Sequence, residues 1–321
     1  MQYIKYTILA LTLGFMGVLI ADRWEQIQGS EWRLDKALFS LSLVGGVVIL
    51  FLNALGWHLV LRALGQPSRA GTSMYVWLVS STTRYIPGGI WSIASRAALA
   101  RNAGISMPIL TTSLYLEAML TGTTAFLAGL PALLYNAKLA IPATIVTGLV
   151  IANGFLLHPR IIRLAGRLPG KVGKIFSTMP LPNVKAIIAL YLYYLIFWFL
   201  LGVAFLIFVQ SITPVPATSW INIGSSMALS FFLGFVVLIA PGGLGVREST
   251  LFFLLLTITG SPVALVVSIG SRLWLMISEA ISVAIALLLF DGNGNADTYD
   301  NQAEVKIYQG IQSDEPSRDR G

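Results

Sequence analysis

Cysteine is absent from the chain, which excludes disulfides, thiolate metal ligands and a cysteine nucleophile. Charge is scarce: Asp, Glu, Lys and Arg together make up 11% of the residues, far below the share that covers a soluble domain. There are two histidines, His58 and His158, far apart and without the spacing of a metal-binding pair, so no metal is expected. No Gly-x-x-x-x-Gly-Lys-Ser/Thr phosphate loop occurs, so nothing reads as a site of ATP hydrolysis. No local pattern pairs a nucleophile with a base, so the sequence leans away from an enzyme. No cofactor and no nucleic-acid partner is expected.

What is present is apolar. Hydrophobic residues make up 56% of the chain and the mean hydropathy is +0.78, values of an integral membrane protein. Apolar stretches near 4–21, 37–61, 109–135, 139–157, 186–210 and 262–290 each approach or exceed the roughly 18–20 residues that span a bilayer as helix. The first has only Lys5 before it and further spans after it, so it reads as a retained helix rather than a secretory leader.

Two segments, 72–86 and 219–260 (the latter as two limbs around Pro241), contain the interruptions, which share a phrase: Tyr85-Ile-Pro-Gly-Gly-Ile-Trp91 and Ile239-Ala-Pro-Gly-Gly-Leu-Gly245. Proline removes a backbone donor and the glycines open backbone angles closed to other residues, so Pro87, Gly88 and Gly89, and likewise Pro241, Gly242, Gly243 and Gly245, are expected to break a helix. Lipid cannot satisfy the freed backbone groups, which need protein or a wet cavity beside them. Two broken segments in corresponding halves are a pointer to a midplane site between repeats, and hence to transport of something polar. Close helix packing is the plainer use of such glycines.

The fold expected is an all-α polytopic membrane protein of about six spans plus two broken re-entrant hairpins, or eight to nine crossings if the hairpins span, with an inverted repeat as one arrangement. The connection 158–185 carries Arg160, Arg163, Arg167, Lys171, Lys174 and Lys185 and belongs in the cytoplasm by the positive-inside rule. The 15 residues of 72–86 rise about 22 Å as helix, short of the roughly 30 Å hydrocarbon core. Residues 72–96 are therefore read as a hairpin that enters and returns on the cytoplasmic side, which leaves 22–36 outside; the connection 211–218, which carries no charge, is also read as external. Residues 1–290 form the membrane domain. Residues 291–321 hold seven acids against three bases, a net −4 in a chain of +7, and read as a disordered cytoplasmic tail.

Before that tail the acids number seven, and four of them lie in 22–36. The other three are Glu117, Glu248 and Glu279, all in or beside apolar segments. Ser113, Glu117, Thr121 and Thr124 share one helix face, as do Ser268, Arg272, Glu279 and Ser282. Ionisable groups in a span are costly and face a partner or a water-filled cavity. Arg84, Arg96, Arg247 and Arg272 flank the breaks or lie on the stripe, and guanidinium grips phosphate with two parallel bonds. Arg96, Glu117, Arg247, Glu248, Arg272 and Glu279 are thus the candidate substrate-binding residues. The competing reading has the acids pairing with buried arginines to hold helices together, and Arg84 and Arg96 reaching toward the headgroups. Trp24, Trp32, Trp57, Trp77, Trp91 and Trp220 are mostly assigned to the membrane interfaces.

Arg84-Tyr-Ile-Pro-Gly-Gly-Ile-Trp91 through Arg96, then Arg101-Asn-Ala-Gly-Ile-Ser106 and Glu117, resembles the flippase-like membrane family, that of the transmembrane region of lysylphosphatidylglycerol synthases. Pro241-Gly-Gly-Leu-Gly-Val-Arg-Glu248, then Gly260 and Arg272, is similar to its second hallmark, Pro-x-Gly-x-Gly-x-x-Glu. The resemblance implies a polytopic inner-membrane protein that moves an anionic or aminoacylated phospholipid, or a lipid-linked glycan, between leaflets. Many members carry an acid shortly after the first-half glycine, where Ser92 stands here. In the synthases a cytosolic transferase domain makes the lipid; with 31 residues after the last apolar stretch, a separately encoded transferase is the expected partner. The rivals are an intramembrane enzyme acting on lipid headgroups and a non-transporting subunit of a membrane glycosyltransferase.

Overall fold

The computed structural model describes residues 34–85, 91–135, 148, 180–236 and 245–290. The apolar stretch 4–21, the stretch 139–157 except Gly148, the tail, and Pro87, Gly88, Gly89, Pro241, Gly242 and Gly243 lie outside the described residues. The described residues form eight α-helices and no strands: α1 Lys36–Ala63, α2 Ala70–Ser81, α3 Trp91–Asn102, α4 Met107–Tyr135, α5 Val184–Ile212, α6 Trp220–Val236, α7 Val246–Thr259 and α8 Ser261–Leu289. Short 3-10 turns at Thr82–Tyr85 and Ala217–Ser219 extend α2 and precede α6.

Local chemistry sets the helix ends. The Asp35 carboxylate accepts the amides of Ala37 and Leu38 at 2.9 and 3.0 Å, and the Asn183 side chain accepts that of Ala186 at 2.8 Å; both satisfy amides that have no partner within their helix. Gly104 and Gly260, with φ of 73° and 78°, turn the chain from α3 into α4 and from α7 into α8, a conformation strained for any side-chain-bearing residue. Pro262 sits in the first turn of α8, where a missing amide proton costs nothing.

Among the described residues, five helices are long and apolar enough to cross a membrane: α1, α4, α5, α8 and Ala217–Val236. At 28 or 29 residues, the four longest reach about 42 Å at 1.5 Å per residue. Large apolar side chains face outward along them, such as Phe199 at 70% exposed and Leu288 at 85%. Outward apolar bands of this extent belong against lipid, and the chain is a multi-pass membrane protein. By contrast α2 and α3, with 12 residues each, rise only about 18 Å.

The packing has a repeating pattern. Helices α1 and α5 lie against each other; α1 touches α2 and α8, and α5 touches α6 and α4. Helix α4 packs on α6, and α8 on α2. Exchanging α1–α4 with α5–α8 carries the α1–α5 contact onto itself and each of the others onto another, so the two halves interlock rather than sit side by side.

Glycine sets how closely they interlock. A Cβ on Gly129 of α4 would lie 2.9 Å from the Leu229 backbone nitrogen of α6, and one on Gly202 of α5 would lie 3.0 Å from the Gly224 carbonyl oxygen of α6. Backbone cannot step aside as a side chain can, so Gly129→Ala must push α4 and α6 apart. We expect it to lower stability by about 1–3 kcal/mol, the usual cost of overpacking. Thermal unfolding of the detergent-solubilised protein measures this, and an unchanged midpoint would show that the α4–α6 contact has slack.

Candidate functional site

The polar stripe predicted on α4 turns inward. The Trp57 indole of α1 donates to the Ser113 hydroxyl at 3.1 Å. One turn on, Trp77 of α2 donates to Glu117 Oε1 at 2.6 Å. Two turns further, Trp198 of α5 donates to the Thr124 hydroxyl at 3.1 Å. Each indole hydrogen, buried in apolar surroundings, needs an acceptor, and one face of α4 supplies all three.

The second Glu117 oxygen takes Arg96 Nη1 of α3 at 2.6 Å. Arg96 is buried. Its guanidinium lies 5.4 Å from the ring centroids of both Trp57 and Trp77, and its Nε donates to the Ser80 hydroxyl at 3.2 Å. An ion pair, two aromatic faces and a hydroxyl replace its hydration shell. Arg96 therefore points into the bundle, and the reading in which it reaches out to headgroups does not describe it. Arg84 is more exposed, with 37% of its side chain accessible.

The neighbouring hydroxyl serves a different acid. Ser81 donates to Glu279 Oε1 of α8 at 2.6 Å, and Arg84 Nη2 lies 3.5 Å from the same oxygen. Glu279 itself is buried. The end of α2 thus joins α3 through Ser80, α4 through Trp77, and α8 through Ser81.

At the second break Glu248 opens α7. Its Oε2 accepts the Gly245 amide at 2.6 Å, and Oε1 meets Arg272 Nη1 of α8 at 3.1 Å. Gly245 has φ of 81°, so this position of the predicted break does adopt the backbone form glycine favours. The Arg247 guanidinium lies 3.4 Å from the Phe231 ring centroid of α6, a cation against an aromatic face across the break. Arg272 and Glu279 are seven residues apart on α8, two turns or about 10 Å. One band of charge therefore runs from Glu117 and Arg96, through the α2 end and Glu279, to Arg272 and Glu248.

The structure gathers the six predicted residues into this band through specific pairs: Arg96 with Glu117, Arg272 with Glu248, Glu279 with Ser81 and Arg84, and Arg247 beside Phe231. Sequence reasoning missed the part played by Trp57 and Trp77, which are 0% and 3% exposed and face the interior of the bundle rather than lipid. Trp91 and Trp220, at 48% and 45% exposed, are outward-facing. The missed signal was an indole N–H within an apolar run, which must find an acceptor. Apart from this band, a cavity of about 430 Å³ lies between α4, α5 and α6, lined by Pro131, Trp198 and Phe199 among others; its walls are mostly apolar.

The family model of the lysylphosphatidylglycerol synthase TM region matches residues 2–287. The chain belongs to that family. The match takes in both Pro-Gly-Gly phrases and all six charged residues of the band. No curated protein matches the chain. Membership in the lysylphosphatidylglycerol synthase TM family points to a function concerned with membrane lipids.

Proposed function

We propose that the protein translocates a lipid with an anionic or aminoacylated headgroup, a phospholipid or a lipid-linked glycan, between the leaflets of the cell (inner) membrane. The observation that carries this reading is the pair of arginine–carboxylate contacts beside the two breaks, Arg96–Glu117 at 2.6 Å and Arg272–Glu248 at 3.1 Å. Charge within a bilayer is costly and is kept where a polar cargo has to pass.

A headgroup phosphate competes with the carboxylate for the guanidinium, whose planar fork of donors binds two oxygens of either group. Arg96, Arg247 and Arg272 supply the phosphate sites. Glu117, Glu248 and Glu279 take a headgroup amine or a proton, so the total charge in the band stays balanced as the headgroup enters. The acyl chains stay on the lipid side. The basic connection 158–185 sets the orientation: the first break approaches from the cytoplasm and the second from outside, an inverted repeat suited to alternating access. A separately encoded transferase that makes the lipid is a fitting partner.

The test uses the purified full chain in vesicles that contain a headgroup-labelled anionic lipid analogue in both leaflets. A membrane-impermeant quencher reaches only the outer leaflet. The quenched fraction should rise above that of protein-free vesicles within the assay, and Arg96→Met should return it to that level. Equal quenching with and without protein would falsify translocation, and a chemically altered headgroup in the recovered lipid would assign an enzyme instead.

A further inference from the structure

The two charged contacts occupy matching places in the two halves, with their signs exchanged. Trp77 and Phe231 each stand ten residues before the proline of their break. Each ring receives an arginine from the helix beyond that break, Arg96 on Trp77 and Arg247 on Phe231. Each of those helices, α3 and α7, is followed by a glycine of positive φ, Gly104 or Gly260. Each then bonds the next long helix near the same depth, for Glu117 is the eleventh residue of α4 and Arg272 the twelfth of α8. In the first half the short helix brings the cation (Arg96) and the long helix the anion. In the second half the short helix brings the anion (Glu248) and the long helix the cation.

We infer that these contacts are two latches, each holding a short helix against the long one that follows, and that they open one at a time. The inference rests on the translocation reading above and names how that site is controlled. Either latch contains an arginine, so the same anion opens whichever half it reaches by displacing the carboxylate from the guanidinium. An opened Arg96–Glu117 latch exposes the polar face of α4 to the cytoplasmic side. An opened Glu248–Arg272 latch exposes the matching face of α8 to the outside.

The element that keeps both from opening together is α8. It carries Arg272 of the second latch, and two turns away it carries Glu279, which is bonded to Ser81 of α2 at 2.6 Å. The adjacent Ser80 takes Arg96 of the first latch at 3.2 Å. The end of α2 therefore cannot follow α3 away from α4 without drawing on α8, and α8 cannot move with the second latch without drawing on α2. Coupling of this kind needs a stiff connected element that both sites bias. Glu279 is thus a positioning residue for the alternation, in addition to any contact with a headgroup.

The chain has no cysteine of its own, so single cysteines report cleanly. Ser113 and Ser268 each lie four residues before a latch residue of their long helix, Glu117 or Arg272, and both are buried. Ser113→Cys and Ser268→Cys are placed separately in the full chain in membrane vesicles of known orientation and labelled with an impermeant maleimide from either side. Glu117→Gln should raise labelling at 113 several-fold from the cytoplasmic side and leave 268 protected. Arg272→Gln should raise labelling at 268 several-fold from outside and leave 113 protected. Adding Glu279→Gln to either variant should abolish this selectivity and label both positions.

Should a glutamine variant fail to reach the membrane, Glu117→Asp and Arg272→Lys, which shorten the side chain, stretch the contact and keep its charge, must shift labelling in the same directions. Labelling of both positions in either single variant, or of neither, overturns the inference. Labelling that separates by side in vesicles that move no lipid would keep the latches and remove the lipid reading. Lipid movement without that separation would do the reverse.

Discussion

Glu117→Ala should be the most destabilising single change in the first half, lowering stability by about 3–5 kcal/mol, the usual cost of removing one member of a buried ion pair. The substitution leaves the Arg96 guanidinium buried between Trp57 and Trp77 without its carboxylate, and removes the acceptor of the Trp77 indole. Glutamine at this position is not a neutral replacement either. Both carboxylate oxygens accept a hydrogen at 2.6 Å, so an amide nitrogen would face one of the two donors. Arg96→Met with Glu117→Leu removes both charges and should recover much of the lost stability, since apolar groups of similar volume replace a buried pair well. Lipid transport should stay absent in the double variant. Thermal unfolding in detergent and the vesicle assay, run on the same preparations, separate the two effects. Wild-type stability in Glu117→Ala would mean that the pair contributes nothing to the fold.

The second large effect is expected at Glu248. Alanine there removes the acceptor of the Gly245 amide and the carboxylate that faces Arg272. A lost helix cap costs about 1 kcal/mol, and breaking the ion contact adds several more. Glu248→Gln with Arg272→Met keeps a side-chain oxygen for the Gly245 amide and leaves no charge at the contact, so folding should return. If the pair handles a headgroup, the two single variants and the double should all reach the membrane and fail to transport. Transport by the double variant would reduce Glu248 and Arg272 to a structural brace.

The long helices were legible because the apolar runs that make them are uninterrupted. The stretch 37–61 became Lys36–Ala63, 109–135 became Met107–Tyr135, 186–210 became Val184–Ile212 and 262–290 became Ser261–Leu289. The ends differ by at most two residues, where caps such as Asp35 and Asn183 act rather than hydrophobicity. The expected division of 219–260 into two limbs appears as α6 and α7. The partners of the acids were less legible. Periodicity places Glu117 and Thr121 on one face of a helix, yet which arginine meets Glu117 depends on how α3 packs against α4. Glu248 stands next to Arg247 in sequence. The structure instead carries its carboxylate to Arg272, 24 residues on. Serine was the other quiet signal: Ser80 and Ser81 look interchangeable in a row of small polar residues, but successive helix positions point about 100° apart. One therefore serves Arg96 and the other Glu279.

The brevity of α3 bears on how the protein enters its membrane during synthesis. At 12 residues, and with a buried arginine, this segment has neither the length nor the apolarity to partition into lipid by itself. Its neutralising carboxylate emerges 21 residues later, in the middle of α4. We expect α3 to enter the bilayer together with α4, with the ion pair formed, and α7 likewise with α8, whose charges are separated by 24 residues. On that expectation the sequence distance between opposite charges sets how much chain must be made before each helix pair can settle in lipid.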